Sequence, residues 1–216
     1  MPEYPISVRL SSIETALNAP STITEIGTLL EPLGYDQAKI AEGKQLLADA
    51  KALVNRQKVE YGEQYEASQI VNDARAAASR VYTPTLTLAR IALKREPVAP
   101  AALALHGTRK RTLSGWLEQA TTFYSNLLAN PQWVAEMAKF NRDQAALEAE
   151  QSVIQTLVAA NLNQEQEKGE AQAATRARDA KLDELYDWYA DYRDVAVIAL
   201  DGHPEWIELI RKGEVD

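Results

Sequence analysis

The chain has no cysteine and only two histidines among its 216 residues. The missing thiols exclude disulfides, thiolate nucleophiles, zinc ribbons and iron–sulfur clusters. No apolar run approaches the roughly 20 residues that a membrane span requires. Lys and Arg are also the minority, 23 against 31 Asp and Glu, and the net charge of −8 argues against a protein that neutralises many phosphates. We therefore expect a soluble, acidic protein without a nucleic-acid partner and not attached to a membrane.

The first residues, Met1-Pro2-Glu3-Tyr4-Pro5, lack the basic start and apolar core of a signal peptide. Together with the absence of cysteine, this favours a cytoplasmic location. The chain is long enough to bury a sizeable core without a metal or a disulfide, so we expect no cofactor.

Signals for β-strands are missing, since there are no alternating β-branched and aromatic runs between Asn-Gly or Asp-Gly turns. Residues 36 to 83 and 143 to 203 contain no proline and are rich in Ala, Leu, Glu, Gln, Lys and Arg. These residues lose the least free energy on entering a helix. The sequence predicts an all-α fold.

The two proline-free spans align without a gap when the chain is shifted by 107 positions. Glu60-Tyr61-Gly62-Glu63 then falls on Glu167-Lys168-Gly169-Glu170, and about fifteen identities appear over positions 36 to 97. We interpret the chain, residues 1–216, as a single helical domain made of two repeats, about 6–107 and 108–216. Each repeat is predicted to hold a first helix (about 6–18 and 112–129), a short second helix (about 22–33 and 131–140) and a long segment. Asp36 and Asp143 are the expected N-caps of the long segments.

A polar, glycine-bearing interval interrupts the apolar stripe of each long segment, and the stripe changes phase across it. If Gly62 and Gly169 take positive φ, each segment is a helical hairpin and the chain is a four-helix up-and-down bundle with additional shorter helices. If the helix continues through the glycine, the chain is an antiparallel pair of very long helices, because one glycine costs only about 1 kcal/mol. We favour the hairpins, because the same glycine-bearing interruption occurs in both repeats. A structural requirement for a turn explains this better than random drift of the sequence does.

Two segments, YTPTLTLARIALKREP (82–97) and ATRARDAKLDELYDWYADYRDVAVIAL (174–200), resemble a group of uncharacterised bacterial helical proteins with a duplicated unit. The resemblance implies the fold. It implies no activity and no site residues.

Motifs for several catalytic classes are missing. A di-iron bundle needs Glu three residues before His, and Leu103 and Leu200 stand at those places. Neither a phosphate loop, nor Gly-x-Gly-x-x-Gly, nor a Gly-x-Ser-x-Gly elbow occurs. We therefore predict no catalytic, cofactor-binding or metal-binding residue.

Four aspartates recur every fourth residue, Asp179, Asp183, Asp187 and Asp191, and form a ridge on one helical face. Asp183-Glu184-Leu185-Tyr186-Asp187 mimics the acidic motif with which all-α isoprenoid synthases hold magnesium, but the partner motif of that family is incomplete here. A solvated face is the simpler interpretation. A basic segment, Arg109-Lys110-Arg111, precedes an amphipathic stretch up to residue 128, which we expect to cover the core rather than to touch anionic lipid.

Pro84 lies inside the first long segment and has no counterpart in the second repeat, where Asp191 takes its place. A proline frees a carbonyl and bends a helix, so a small polar opening lined by Tyr82, Thr83, Thr87 and Arg90, with Thr85 beside them, is the candidate ligand pocket.

The absence of catalytic motifs and the abundance of apolar helical faces lead to one functional hypothesis. The chain is a non-enzymatic helical bundle that acts through protein–protein contacts or as a scaffold, with a protein partner or self-association. The alternative is a small-ligand- or divalent-metal-binding bundle, enzymatic or not, that uses the Pro84 region or the ridge from Asp179 to Asp191.

Overall fold

The computed structural model describes residues 5–211, and every regular element in that range is helical. In chain order the helices are α1 (Ile6–Thr22), α2 (Thr24–Leu30), a 3₁₀ turn (Glu31–Leu33), α3 (Gln37–Ala92), α4 (Ala99–Ala102), α5 (Leu113–Leu128), α6 (Pro131–Ala138), α7 (Gln144–Ala199) and α8 (Pro204–Arg211). The all-α prediction is confirmed.

Helices α3 and α7 are each 56 residues long, and both of their ends are offset by 107 positions. The Asp36 carboxylate accepts a hydrogen bond from the Lys39 amide at 2.8 Å, and Asp143 accepts one from the Ala146 amide at 2.8 Å. Both N-cap predictions are therefore confirmed. These bonds satisfy amide groups that the first turn of a helix leaves without a partner.

The predicted hairpin turns at Gly62 and Gly169 are wrong, because α3 and α7 continue through these residues without a break. In the described chain the glycines with positive φ are Gly34, Gly107 and Gly202. The neighbours of Gly62 and Gly169 include no proline, Asn or Asp, and opening a helix there would leave further backbone groups without hydrogen bonds. The roughly 1 kcal/mol cost of glycine in a helix is smaller than that loss.

The chain divides into two compact units, and the boundaries fall at the repeated glycines. Unit 1 comprises the chain up to Tyr61 and the chain from Glu170 onward, whereas unit 2 is Gly62–Gly169. Each unit therefore contains half of α3 and half of α7 and draws on both sequence repeats. The prediction of a single domain is not decided by this division and stays a prediction.

Unit 1 has a core formed by α1, α2, the first part of α3, the second part of α7, and α8. Its largest fully buried side chains are Tyr192, Ile13, Leu17, Ile26 and Leu30. The Arg178 guanidinium donates to the Gln57 side-chain oxygen at 3.0 Å, and Trp188 covers Gly43, so the α3 and α7 segments of this unit run antiparallel.

Unit 2 has a separate core, built from the second part of α3, helices α4 to α6 and the first part of α7. Its largest fully buried side chains are Tyr82, Tyr124, Phe123, Leu93 and Leu103. Gln164 donates to Ser68 at 3.0 Å and Thr85 donates to Glu150 at 2.7 Å, so the two long segments are antiparallel here as well.

Candidate functional site

A cleft of about 590 Å³ opens in unit 1 beside the start of α3. Small-molecule and cofactor sites in proteins commonly have volumes of roughly 300 to 1,000 Å³. Its lining is both polar and apolar, and consists of Pro20, Ser21, Thr24, Gly27, Thr28, Glu31, Tyr35, Asp36, Gln37, Ile40, Ala41 and Lys44.

The cleft has two walls that run in opposite directions along the chain. One wall extends from Ser21 through α2 to Glu31, and the other extends along α3 from Asp36 to Lys44. The Lys44 ammonium contacts the Ser21 hydroxyl at 3.1 Å, which places the basic end of both walls together. The 3₁₀ turn joins Glu31 to the loop before Asp36, so the two carboxylates belong to the opposite, acidic end.

Tyr35 lies next to Asp36 and is half-buried. Its ring meets Trp188 edge-on, with the centroids 5.8 Å apart, and is tilted against Tyr192 at 5.4 Å. Burial is the main reason that the pKa of Tyr35 is raised, and the nearby carboxylates of Asp191 and Glu42 raise it further. The phenol therefore stays neutral and faces a negative environment.

The packing of the aromatic rings next to Tyr35 requires a glycine at position 43 of α3. A Cβ atom on Gly43 would overlap the six-membered ring of Trp188. Trp188 stacks on Tyr192 with an interplanar angle of 20°, and the Tyr192 hydroxyl donates to the Ala16 carbonyl at 3.2 Å. Burial raises the pKa of Tyr192, and Tyr189 and Tyr35 add to the effect.

Unit 2 contains a buried polar network around Glu150. One carboxylate oxygen accepts hydrogen bonds from Thr85 at 2.7 Å and from Tyr124 at 2.9 Å, and the other pairs with the Arg142 Nε at 2.9 Å. Arg142 Nε also donates to the Thr85 hydroxyl at 3.1 Å. Burial, followed by the Glu150 charge, raises the pKa of Tyr124. The network satisfies a carboxylate that would be costly to bury alone.

The aromatic cluster of unit 1 and the polar network of unit 2 occupy corresponding repeat positions. With the shift of 107, Gly43 corresponds to Glu150, Tyr35 to Arg142, and Tyr192 to Thr85. Gly43 of unit 1 makes room for Trp188, whereas the corresponding Glu150 of unit 2 is a charged side chain surrounded by hydrogen-bond and ion-pair partners. The two cores are therefore chemically different at the same positions.

A second cleft, of about 380 Å³, lies between α2 and the start of α8. It is lined by Thr24, Glu25, Thr28, Leu29, His203 and Trp206. The imidazole of His203 stacks on Trp206 with centroids 4.1 Å apart. The two clefts share Thr24 and Thr28, so α2 is accessible from both of them.

The four residues predicted to line a pocket at Pro84 have different surroundings. Tyr82 is buried in the core of unit 2, and its hydroxyl accepts a hydrogen bond from Arg109 at 3.0 Å. Thr83 and Thr87 share an exposed side of α3, where the Thr87 hydroxyl donates to the Thr83 carbonyl at 3.0 Å. Arg90 donates to the Leu105 carbonyl at 2.6 Å. A pocket lined by these residues stays a prediction.

Tyr82 and Arg90 nevertheless share a role, because both hold the loop between α4 and α5. Arg109 donates to the Ala104 carbonyl at 2.5 Å as well as to Tyr82, and Arg90 holds Leu105 in the same loop. Ala104 has a φ of 47°, which is strained for a residue with a side chain. The two arginines thus fix a strained turn against α3.

The aspartate ridge, Asp179, Asp183, Asp187 and Asp191, is exposed along its whole length. Asp179 pairs with its neighbour Arg178 at 2.5 Å. The apolar side of α5 is buried in unit 2, with Leu117, Phe123 and Leu127 in the core, and Lys110 pairs with Glu118 on the other side. That apolar side is therefore not available to a lipid surface.

Two residues outside the predicted pocket and ridge, Glu150 and Gly43, are marked by their place in the sequence. Glu150 lies on the apolar stripe of α7, three residues after Leu147 and four before Ile154, and Gly43 occupies the same place between Ile40 and Leu47. A charged residue or a glycine on an apolar stripe is a signal of a buried polar group or of close packing. The cleft has no such signal, because its walls become neighbours only through the fold.

Comparison with protein-family models, with curated proteins and with solved structures found no match. The resemblance to bacterial helical proteins with a duplicated unit therefore stays a prediction. Within residues 5–211, no helix has the length and apolar character to cross a membrane.

Proposed function

We propose that this protein is a non-enzymatic helical bundle that acts through protein–protein contacts, and that it self-associates. The observation that carries the proposal is the exposure of two large side chains in unit 2, Tyr65 at 69% and Leu162 at 72%. Tyrosine and leucine contribute large contact areas when an interface buries them.

Both side chains lie within one turn of a contact between the two long helices. Ser68, one turn after Tyr65 on α3, accepts a hydrogen bond from Gln164, which lies two residues after Leu162 on α7. Val158, one turn before Leu162, is also exposed. A second copy of the chain that covers these side chains would remove apolar area from water, and burial of apolar area is the main driving force of association.

The wider proposal is an acidic, cytoplasmic protein that arose by internal duplication. The absence of cysteine and the net charge of −8 support the location and the solubility. The equal lengths of α3 and α7, with both ends offset by 107 residues, support the duplication.

The alternative proposal, binding of a small ligand or a divalent metal, has its best support in unit 1. The cleft beside α3 is a concave surface of ligand size, whereas the aspartate ridge is exposed and Tyr82 is part of the core. The Pro84 region and the ridge are weaker candidates for that function.

Mass measurement by light scattering after size exclusion, over a wide range of concentration, tests self-association. We expect the unchanged chain to exceed the mass of one chain, and the double variant Tyr65→Ser with Leu162→Ser to elute with the mass of one chain. The control is Ile91→Ser with Val98→Ser, which removes two exposed apolar side chains elsewhere in unit 2. A chain that has the mass of one copy at every concentration, or two double variants that behave alike, would contradict the proposal.

A further inference from the structure

The cleft of unit 1 is lined by charged side chains that form no ion pair with the other described residues. Lys44 contacts the Ser21 hydroxyl but pairs with no carboxylate among residues 5–211, and the Glu31 carboxylate has no cationic partner in the same range. Asp36 uses one oxygen to cap α3 and keeps the other. The basic end and the acidic end of the cleft are therefore open to groups of opposite charge.

The distance between the two ends follows from the geometry of α3. Asp36 and Lys44 are eight residues apart, which corresponds to about 12 Å along a helix. An extended peptide advances about 3.3 to 3.6 Å per residue, so about four residues cover this distance. A free amino acid, whose ammonium and carboxylate share one carbon, is too short to meet both ends.

The neutral side chains between the ends suit a peptide backbone. Ser21, Thr24 and Thr28 follow one wall and Gln37 lies on the other. The Thr28 hydroxyl donates to the Thr24 carbonyl at 3.1 Å and can still accept a hydrogen bond, while the other hydroxyls and the Gln37 amide can donate and accept, as a backbone with alternating N–H and C=O groups requires. Pro20, Ile40 and Ala41 supply apolar surface between them.

We propose that the cleft of unit 1 binds an extended peptide segment of a partner protein that carries a basic and an acidic side chain about four residues apart. The basic side chain meets Glu31 and Asp36, and the acidic side chain meets Lys44. The inference rests on the proposed function, because it names the kind of partner segment through which the protein makes contacts.

Three capped, fluorescently labelled peptides test the inference with the full chain. The first is Lys-Ala-Ser-Ala-Glu, and the two controls are Lys-Ala-Ser-Ala-Lys and Glu-Ala-Ser-Ala-Glu. We expect fluorescence anisotropy to show that the mixed-charge peptide binds about tenfold more tightly than either like-charged peptide, because only it complements both ends. Equal binding of the three peptides, or no binding of the first, would overturn the inference.

Two variants locate the binding in the cleft. Lys44→Glu should weaken binding of the mixed-charge peptide about tenfold and strengthen binding of the peptide with two lysines. Lys58→Glu makes the same charge change at an exposed position of α3 outside the cleft, and should change neither. Ala41→Trp fills the cleft without altering its charge, and should abolish binding of all three peptides. If Lys44→Glu behaves as Lys58→Glu does, the inference fails.

The outcomes for this cleft and for self-association can be told apart. The double variant Tyr65→Ser with Leu162→Ser alters only unit 2 and should bind the mixed-charge peptide as the unchanged chain does. Peptide binding by a chain that stays at single-copy mass would leave the cleft proposal standing and remove self-association. Self-association without peptide binding would remove only the cleft proposal.

Discussion

Position 43 of the first repeat and position 150 of the second show how a single residue determines the chemistry of a core. Gly43 makes room for Trp188, while Glu150 brings Thr85, Tyr124 and Arg142 around one carboxylate. This network also joins the two repeats, because Thr85 of the first repeat donates a hydrogen bond to Glu150 of the second. If the second repeat paired with itself, Glu150 would face the position of Tyr192 instead of Thr85, and the tyrosine ring is much larger than the threonine side chain that fits there now. The residue choices therefore favour pairing between unlike repeats.

The buried tyrosines Tyr124 and Tyr192 make stability depend on alkaline pH. Both are fully buried and their pKa values are raised, chiefly by burial. In the unfolded chain these phenols lose their protons above the ordinary pKa of 10.0, whereas the folded chain retains them. The stability that the two neutral phenols contribute is therefore complete below pH 10.0. It is lost as the pH rises above that value, and the free energy of unfolding falls by about 1.4 kcal/mol per pH unit for each tyrosine.

Urea unfolding on both sides of that pH measures the effect. Above the ordinary phenol pKa, the free energy of unfolding of Tyr192→Phe should decrease less steeply with pH than that of the unchanged chain. The expected difference between the two slopes is about 1.4 kcal/mol per pH unit. Ile91→Val is the control, because the Ile91 side chain is exposed and carries no titratable group, so its truncation should leave the slope unchanged. Equal slopes for the unchanged chain and Tyr192→Phe would show that this buried phenol does not govern the alkaline loss of stability.

At the scale of the elements, the sequence predicted the type and the beginning of the long helices better than their continuity. Asp36 and Asp143 were identifiable because a carboxylate before a helix-forming run has one common structural use. Gly62 and Gly169 were misread because a glycine is compatible with both a turn and a helix, and the choice depends on backbone hydrogen bonds rather than on the residue. The cleft could not be predicted at all, since its two walls are formed by elements whose packing the sequence pattern does not reveal.

Glycine-to-alanine substitutions test the continuity of α3. A Cβ atom at Gly62 meets no atom within 4 Å, so Gly62→Ala should raise the free energy of unfolding by about 0.5 to 1 kcal/mol through helix propensity. Gly43→Ala gains the same propensity but places its methyl group against the Trp188 ring, and should lower stability by about 1 to 3 kcal/mol. Urea unfolding measures both changes. A loss of stability in Gly62→Ala would contradict a continuous helix at this residue.

At the scale of the whole molecule, two cores share two uninterrupted helices. The hydrophobic cluster of unit 1 contains no residue of unit 2, and the reverse is also true among the described residues. The backbone of α3 and α7 is nevertheless continuous across both boundaries. Separate cores favour separate opening of the units, whereas the cooperativity of a continuous helix favours joint opening.

Hydrogen exchange in the variant Glu150→Ala distinguishes these two behaviours. The substitution leaves Arg142, Tyr124 and Thr85 without their shared acceptor and should cost about 3 kcal/mol. We expect amide exchange in the slowest-exchanging parts of residues 62–169 to accelerate about 100-fold, with a much smaller change in the described residues outside that range.

The matched variant in the other core is Gly43→Ala, which should produce the reverse pattern, with faster exchange before Tyr61 and after Glu170. If either variant accelerates exchange equally in both units, the long helices couple the two cores and the chain unfolds as the single domain that the sequence predicts. If each variant affects its own unit, the repeated glycines separate two independently opening units, and a partner that binds the cleft of unit 1 stabilises that unit alone.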